Sequence, residues 1–309
     1  MNTAVLLLVF NRPETTREVL GQIRKVKPKR LYVGCDAARQ NKTGEDQVVE
    51  EVRSVIKEMV DWECELHTLY QTQNLGCKLA VSGALSWFFE KEEMGIILED
   101  DCLPDLSFFS YCEELLLRFK DDESIFMISG NNFQRGKKVT PYSYYYSWLT
   151  HIWGWASWRR SWQKVDLEMK NWEEFKRKGG VSQIYPNRTY AKAWERTFER
   201  YLAGRYNTWD YPLLFASWWH RQLTVLPEVN LVSNIGFGGV NTHGTNEVAT
   251  KLGEIPTFSL SALVHNPEKS ASVRADMRTM NYHIFPSKLL VLFRLFYHIL
   301  TNRVKLLFS

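Results

Sequence analysis

Along the first hundred residues, short runs in which nearly every position is apolar alternate with longer stretches in which apolar positions recur every three or four residues. The runs are 5–10, 31–35 and 96–98, and 66–70, which carries His67 and Thr68, is a plausible further strand. Between them, helical spacing is kept first by Thr16, Val19, Leu20 and Ile23, then by Val48, Val49, Val52, Val55, Ile56 and Met59, then by Ala80, Ala84, Leu85, Phe88 and Phe89. Unbroken apolar runs are strands buried on both faces; the periodic stretches are amphipathic helices. Four such alternations predict a parallel sheet with crossover helices, a Rossmann-like half of an α/β fold.

Pro104 breaks the chain, and a helix is expected over Phe108, Tyr111, Cys112, Leu115, Leu116 and Phe119; 125–129 then restores a strand. Beyond residue 130 the pattern changes. The stretch 142–148 is aromatic and β-like, and Trp153, Trp155, Trp158 and Trp162 fall within ten residues. Tyr190, Trp194, Thr197, Phe198 and Tyr201 share a helical face that stops at Gly204. Asp210 is expected to cap the next helix, with Pro212 in its first turn. Strands are expected at 223–226 and 230–233, followed by a glycine-rich segment, 234–244, that contains His243. There is no internal repeat and no low-complexity linker. The expected organisation is one half at 1–130, a second half of the same domain at 131–245, and a C-terminal extension at 246–309. Periodicity is lost from about Thr245 until 287–308, an apolar and basic helix interrupted by Lys288, Arg294, Arg303 and Lys305. Such a helix could lie in a membrane interface, or dock on the protein's own core or on a second subunit as a homodimer.

Composition adds three constraints. Aromatic residues make up 14% of the chain, with 12 Trp, more than a core of this size requires; spare aromatic faces stack well on sugars and bases. A net charge of +4 is too weak to argue for nucleic acid and suits phosphate-bearing substrates or an anionic membrane surface. Cys35, Cys64, Cys77, Cys102 and Cys112 are odd in number and dispersed, which excludes a disulfide framework and a zinc site and points to a reducing cytoplasm.

The chemistry concentrates at the end of the fourth strand, where Glu99, Asp100 and Asp101 follow one another. Open α/β sheets bind ligands at the carboxyl ends of their strands. Three adjacent carboxylates repel one another unless a cation is present, and hard oxygen ligands suit Mg2+ or Mn2+ and, through it, a diphosphate. The plain alternative is an acidic helix start. Such a sheet joined to an aromatic second half is what a nucleotide-sugar transferase needs: a clamp for the leaving diphosphate, a carboxylate to deprotonate the acceptor hydroxyl, and a wall for the sugars. Asp210 is the candidate base, with an ordinary helix cap as the alternative. Arg12 and Lys78 are candidate phosphate partners or solvated surface charges. His243 could be a metal ligand or a phosphate partner, or simply solvated.

The triplet Glu99-Asp100-Asp101 behind Leu98, the turn Asn11-Arg12-Pro13, the turn Asn74-Leu75-Gly76, and the pairs Gly154-Trp155 and Trp209-Asp210 together resemble the GT-A glycosyltransferases. The likeness is to bacterial sugar transferases related to the enzyme that adds N-acetylglucosamine to the mannose core of N-glycans, and it spans about residues 3–245. It implies a GT-A mixed sheet with helices on both faces and a helical C-terminal extension. It also implies Asp101 as the ligand of Mn2+ or Mg2+, Asp100 at the ribose, Glu99 either behind the metal ligand or at the donor sugar, and Arg12, Asp36, Asn74 and Lys78 along the nucleotide. By the same resemblance His243 closes over the diphosphate as a second metal contact, Asp210 is the base of an inverting displacement, and Trp153, Gly154 and Trp155 shape the acceptor pocket. The implied partners are a nucleotide-diphosphate sugar, UDP-sugar favoured, and a glycan or lipid-linked acceptor, with the enzyme cytoplasmic or peripheral at the membrane's inner face. A sugar-nucleotide nucleotidyltransferase would carry glycines after the first strand, where this chain has Asn11-Arg12-Pro13-Glu14-Thr15. The remaining alternative is a carbohydrate-binding protein without catalysis, which would have no use for the acidic triplet.

Overall fold

The computed structural model of the chain describes residues 1–236 and 255–286. Its first hundred residues are β1 (Ala4–Val9), α1 (Pro13–Val26), β2 (Arg30–Cys35), α2 (Glu45–Met59), β3 (Glu65–Tyr70), α3 (Gly76–Lys91) and β4 (Met94–Glu99), the expected alternation. β1 lies parallel between β2 and β4, and β3 is parallel to β2. The apolar run of β1 serves two cores at once. Val5, Leu7 and Val9 pack toward α1 and α2, while Ala4, Leu6 and Leu8 pack toward Ala84, Leu85 and Phe88 of α3. That is the period-two alternation of a strand covered by helices on both faces.

The sheet continues into the second half. After β5 (Cys102–Pro104) and α4 (Ser107–Arg118) come β6 (Ile125–Ser129), β7 (Tyr144–Ser147) and β8 (Trp155–Trp158). Five helices follow: α5 (Arg159–Trp162), α6 (Trp172–Arg177), α7 (Gly180–Ile184), α8 (Arg188–Leu202) and α9 (Asp210–Trp219). β9 (Leu223–Pro227), β10 (Val232–Asn234), α10 (Val273–Thr279) and a single π-helical turn at Met280–Ile284 complete the described elements. The strand order is β3-β2-β1-β4-β8-β6-β9-β7. β8 is antiparallel to both β4 and β6, so β6 runs in the same direction as β4 and delivers its carboxyl end to the same edge. The mixed sheet expected from the sequence is therefore present, and it crosses residue 130 without a break.

Three expectations need correction. β4 ends at Glu99, and Cys102–Pro104 is not the strand's tail but a separate short strand, antiparallel to β10 through the pairs Cys102–Asn234 and Pro104–Val232. A proline is tolerated there because a two-stranded ribbon leaves one edge of each strand unpaired. The tryptophans are packing residues more than a sugar wall: seven of the twelve are buried, Trp155, Trp158 and Trp162 of the cluster among them. Many serve a third core, in which Trp172, Trp194 and Trp218 from α6, α8 and α9 surround Phe198 and Phe215. Finally, the segment after Thr245, where sequence periodicity is lost, includes α10. The stretch Val273–Thr279 is two turns long, too short for a periodic signal.

α10 is anchored by a buried carboxylate. Asp276 accepts hydrogen bonds from Ser147 Oγ (2.5 Å), the Trp148 amide (3.0 Å) and Tyr185 OH (3.0 Å). Burial nevertheless raises its pKa to about 6. Ser272 N also donates to Tyr146 O at 2.8 Å, tying the segment to the β7 edge. Asp276→Ala strands three buried donors. It is expected to destabilise the fold by about 3 kcal/mol, which chemical denaturation would register.

Among the described residues no helix is long and apolar enough to cross a membrane. The terminal segment 287–309 lies outside the described residues, as does His243.

Candidate active site

The strand order reverses direction between β1 and β4, which makes the crevice beyond their carboxyl ends the topological switch point of the sheet. The turn after β1 brings Phe10 and Arg12 to it, and the turn after β4 brings Glu99, Asp100 and Asp101. They meet there. Arg12 Nη1 lies 2.6 Å from Asp101 Oδ2 and 3.2 Å from Asp100 Oδ1, while the Phe10 amide donates to Asp100 Oδ2 at 3.0 Å. Arg12 thus joins two adjacent carboxylates that would otherwise repel. Behind it, Ile235 N donates to Asp101 O at 2.8 Å, and Gly236 lies so close that a Cβ there would run into the Asp101 carboxylate.

Glu99 and Asp210 complete the acidic centre. Glu99 is half-buried, and no hydrogen bond from any described residue reaches its carboxylate. Burial, with the nearby charges of Asp101, Asp100 and Asp210, pushes it up to about 8. Asp100 is pushed up to about 7 by burial and Asp101, against the pull of Arg12. Asp210 is raised chiefly by burial, and its carboxylate accepts from Thr208 Oγ1. It is the first residue of α9 rather than the expected cap, which is Trp209. Cys77, the second residue of α3, faces the same group, and its thiol is pushed up to about 12 by burial and by Glu99, Asp210 and Asp36.

The tryptophan pairs explain why Asp210 stands opposite Glu99. Trp155 is in register with Ile97 of β4, two residues before Glu99. Its ring stacks on Trp209 at 5.8 Å, and both are buried. The stack therefore fixes the start of α9 against the end of β4. Gly154 adopts φ +62°, and a Cβ there would meet Val232 Cγ2 at 2.7 Å, so only glycine lets the chain enter β8 under β10. Gly154 and Trp155 are accordingly not walls of an open acceptor pocket: both are buried, and their work is positional. Trp153 is different. It is half-exposed, its ring meets those of Phe133 and His283 edge-on at 4.9 and 5.5 Å, and its amide donates to Asn131 Oδ1 at 3.2 Å.

The remaining expected residues have other engagements. Asp36 accepts four hydrogen bonds, from the amides of Ala37, Leu75 and Gly76 at 2.9 Å each and from Asn74 Nδ2 at 3.0 Å. Asn74 also donates to Ala37 O at 2.7 Å. This pair clasps the turn before α3 to the end of β2 and so sets where α3 begins. Lys78 reaches across to the second half, where it lies 4.8 Å from the Tyr201 ring centre and 3.5 Å from Glu168. Residues that sequence reasoning did not single out are Phe10, Cys77, Asn131 and Thr208. Only their placement beside the acids gives them a role, and no local pattern signals that.

No family model matches the chain, and no curated protein matches it. Among solved structures it is similar to HddC from Yersinia pseudotuberculosis, with 9% identity and a TM-score of 0.33 over 51% of this chain and 77% of that one. It is likewise similar to residues 1–349 of TarS from S. aureus, with 12% identity and a TM-score of 0.34 over 54% of this chain and 50% of that one. UTP-bound UGPase from Acinetobacter baumannii has 7% identity and a TM-score of 0.37 over 96% and 99%. These likenesses are too remote to transfer an activity, so function rests on the site itself.

In charge, the site fits a cation. Four carboxylates face one guanidinium, and burial first, with the neighbouring negative charges second, raises Glu99 and Asp100. The donors are hard oxygens, as Mn2+ or Mg2+ prefers. Among the described residues no three potential ligands are grouped to hold an ion alone, so the phosphate oxygens of a substrate would have to contribute.

The same acids make stability depend on pH. Glu99 and Asp100 hold their protons more tightly folded than unfolded, so their contribution is full below the unfolded carboxyl value and is lost as pH rises through about 7 to 8. The melting temperature of the ligand-free protein is expected to fall between acid and mildly alkaline pH. Glu99→Gln should flatten that slope and melt about 4 °C above the parent at the alkaline end, as on the order of 2 kcal/mol requires.

Proposed function

We propose that the chain is a glycosyltransferase that moves a sugar from a nucleotide diphosphate, UDP first among the candidates, to a hydroxyl of a glycan or lipid-linked acceptor. The observation that carries this reading is the placement of Asp210, on an element of the second half, across from an acidic triplet at the switch point of the sheet. A carbohydrate-binding surface has no need of that pairing. A nucleotidyltransferase would want glycines after β1, where the chain carries Arg12 and Pro13.

Asp210 accepts the proton of the acceptor hydroxyl, and burial raises its basicity toward the range useful for a general base. The hydroxyl oxygen attacks the anomeric carbon opposite the nucleotide, giving inversion. Arg12, held by Asp100 and Asp101, keeps a positive charge at the switch point for the phosphates. Asp101, with Glu99 beside it, would hold Mn2+ or Mg2+, which neutralises the charge on the departing diphosphate. Trp153, packed edge-on against Phe133 and His283, is the half-exposed member of the Trp153–Gly154–Trp155 segment and would offer its ring to a sugar.

Thermal denaturation with Mn2+, UDP and both together tests the site. The two together are expected to raise the melting temperature by more than the sum of their separate effects, because each completes the other's ligand set. No shift under any of the three conditions would favour a binding module.

A further inference from the structure

Two buried side chains at the carboxyl edge of the sheet are short of partners. Asn131 lies just beyond β6 and His151 just ahead of β8, and the bond from Gly130 N to Gly154 O, 2.7 Å, holds the two turns together. β8 lies between β4 and β6, so across the sheet these turns are within two strand spacings of the end of β4, about 10 Å. Asn131 is 0% and His151 4% exposed. The Trp153 amide and Ser129 Oγ both donate to Asn131 Oδ1, at 3.2 and 3.3 Å. That fixes the orientation of the amide and leaves Nδ2 a donor with no partner among the described residues. His151 Nδ1 lies 3.3 Å from Asn131 O. A carbonyl only accepts, so Nδ1 carries the proton and Nε2 is an acceptor, again with no partner among the described residues. Burial pushes the imidazole down to about 3, so it stays neutral. Buried polar atoms left unmade are costly, and native proteins keep few of them.

The chemistry of the two atoms selects what completes them. A carboxylate or an ionised phosphate has no proton to give Nε2, an ammonium has no lone pair for Nδ2, and a hydrocarbon has neither. A hydroxyl has both. The surroundings are rings: Phe133 lies 4.8 Å from the His151 ring and itself meets His283 at 3.7 Å and Trp153 at 4.9 Å. Trp153 and His283 are the half-exposed members, so the route from solvent to the two atoms passes them. Hydroxyls carried on an apolar C–H framework, as in a pyranose, suit aromatic faces beside a neutral donor and a neutral acceptor.

We infer that Asn131 and His151, with Trp153, form a subsite for a neutral sugar ring, the acceptor of the proposed transfer. Asn131 Nδ2 donates to, and His151 Nε2 accepts from, hydroxyls of that ring. The ring's role as acceptor rests on the transferase reading, whereas its binding does not.

Saturation-transfer NMR of the full chain, without nucleotide or metal, tests it with neutral probes: the methyl glycosides of mannose, galactose and N-acetylglucosamine. At least one is expected to bind the parent, and His151→Asn and Asn131→Asp are each expected to weaken that binding about tenfold, the worth of one buried hydrogen bond. His151→Asn keeps a donor for Asn131 O while removing Nε2, and Asn131→Asp keeps the acceptor for the Trp153 amide while removing Nδ2. Should either variant fail to fold, the imidazole nitrogens of the parent, followed by long-range 1H–15N correlation, give the answer. Saturating glycoside is expected to shift the His151 ring and to leave His220, at the far end of α9, where it is. No binding of any probe, unchanged affinity in both folded variants, or an unmoved His151 ring would overturn the inference, and the two atoms would then hold ordered water only. Hydrolysis of a nucleotide sugar by a chain that binds none of the probes would remove the subsite and leave the transferase standing; probe binding without hydrolysis would do the reverse.

Discussion

Asp210→Asn is expected to lower kcat for sugar transfer by about a thousandfold while leaving nucleotide-sugar affinity within about twofold of the parent. The amide keeps the size of the side chain and can still accept from Thr208 Oγ1, so the start of α9 and the Trp155–Trp209 stack are retained. What is lost is the ability to take a proton. Isothermal titration with the donor and initial-rate measurements with the acceptor separate the two effects. A variant that transfers at a tenth of the parental rate would show that the base lies elsewhere. Glu99 would then be the next candidate, because its carboxylate receives no hydrogen bond from a described residue.

Arg12→Gln is expected to destabilise the resting protein as well as weaken nucleotide binding. Arg12 is the only cation among the described residues in contact with Asp100 and Asp101, whose side chains are 8% and 14% exposed. Removing it leaves two adjacent carboxylates with no counter-charge. Breaking a buried pair costs about 3–5 kcal/mol, and the partial exposure of Arg12 brings the expected loss to about 2–3 kcal/mol. The loss has a pH signature. Without the guanidinium Asp100 holds its proton more tightly in the folded state, so the variant is closest to the parent in acid and falls further behind as pH rises toward 8. Chemical denaturation at both ends of that range reads the difference, and nucleotide affinity should fall at least about tenfold alongside it. An equal loss of stability at both pH values would mean that the side chain matters for packing and not for charge.

Much of the fold was legible because its first half obeys simple periodicities. β1, β2 and β4 are short and buried on both faces, β3 is an exposed edge strand legible only from its place in the alternation, α1 and α2 carry a clean apolar stripe, and the alternation leaves one architecture open. The acids were equally legible: a charged triplet directly after an apolar run must fall at a strand end. Local pattern could not show where partners come from. Cys102–Pro104 pairs with Val232–Asn234, a segment far along the chain, and a strand of three residues has no period to detect. The tryptophans misled because composition counts rings without locating them. Trp155 and Trp209 belong to the pairs that suggested a sugar site, yet their stacked rings hold the start of α9 against the end of β4 from beneath. Asp36 illustrates the same limit. A carboxylate after β2 suggests a ligand contact, but the turn at Asn74 takes up both of its oxygens.

The central claim is that the acids beyond β4 and Asp210 form one catalytic centre for a nucleotide sugar. Hydrolysis of UDP-, GDP- and dTDP-sugars in the presence of Mn2+ or Mg2+, followed by nucleotide release, tests it most directly, with Asp101→Ala and Asp210→Asn alongside. The expected result is slow, metal-stimulated turnover of one donor by the parent, abolished in Asp101→Ala and sharply reduced in Asp210→Asn. Turnover of no donor by the parent, together with no calorimetric affinity for any of the three nucleotides, would contradict it.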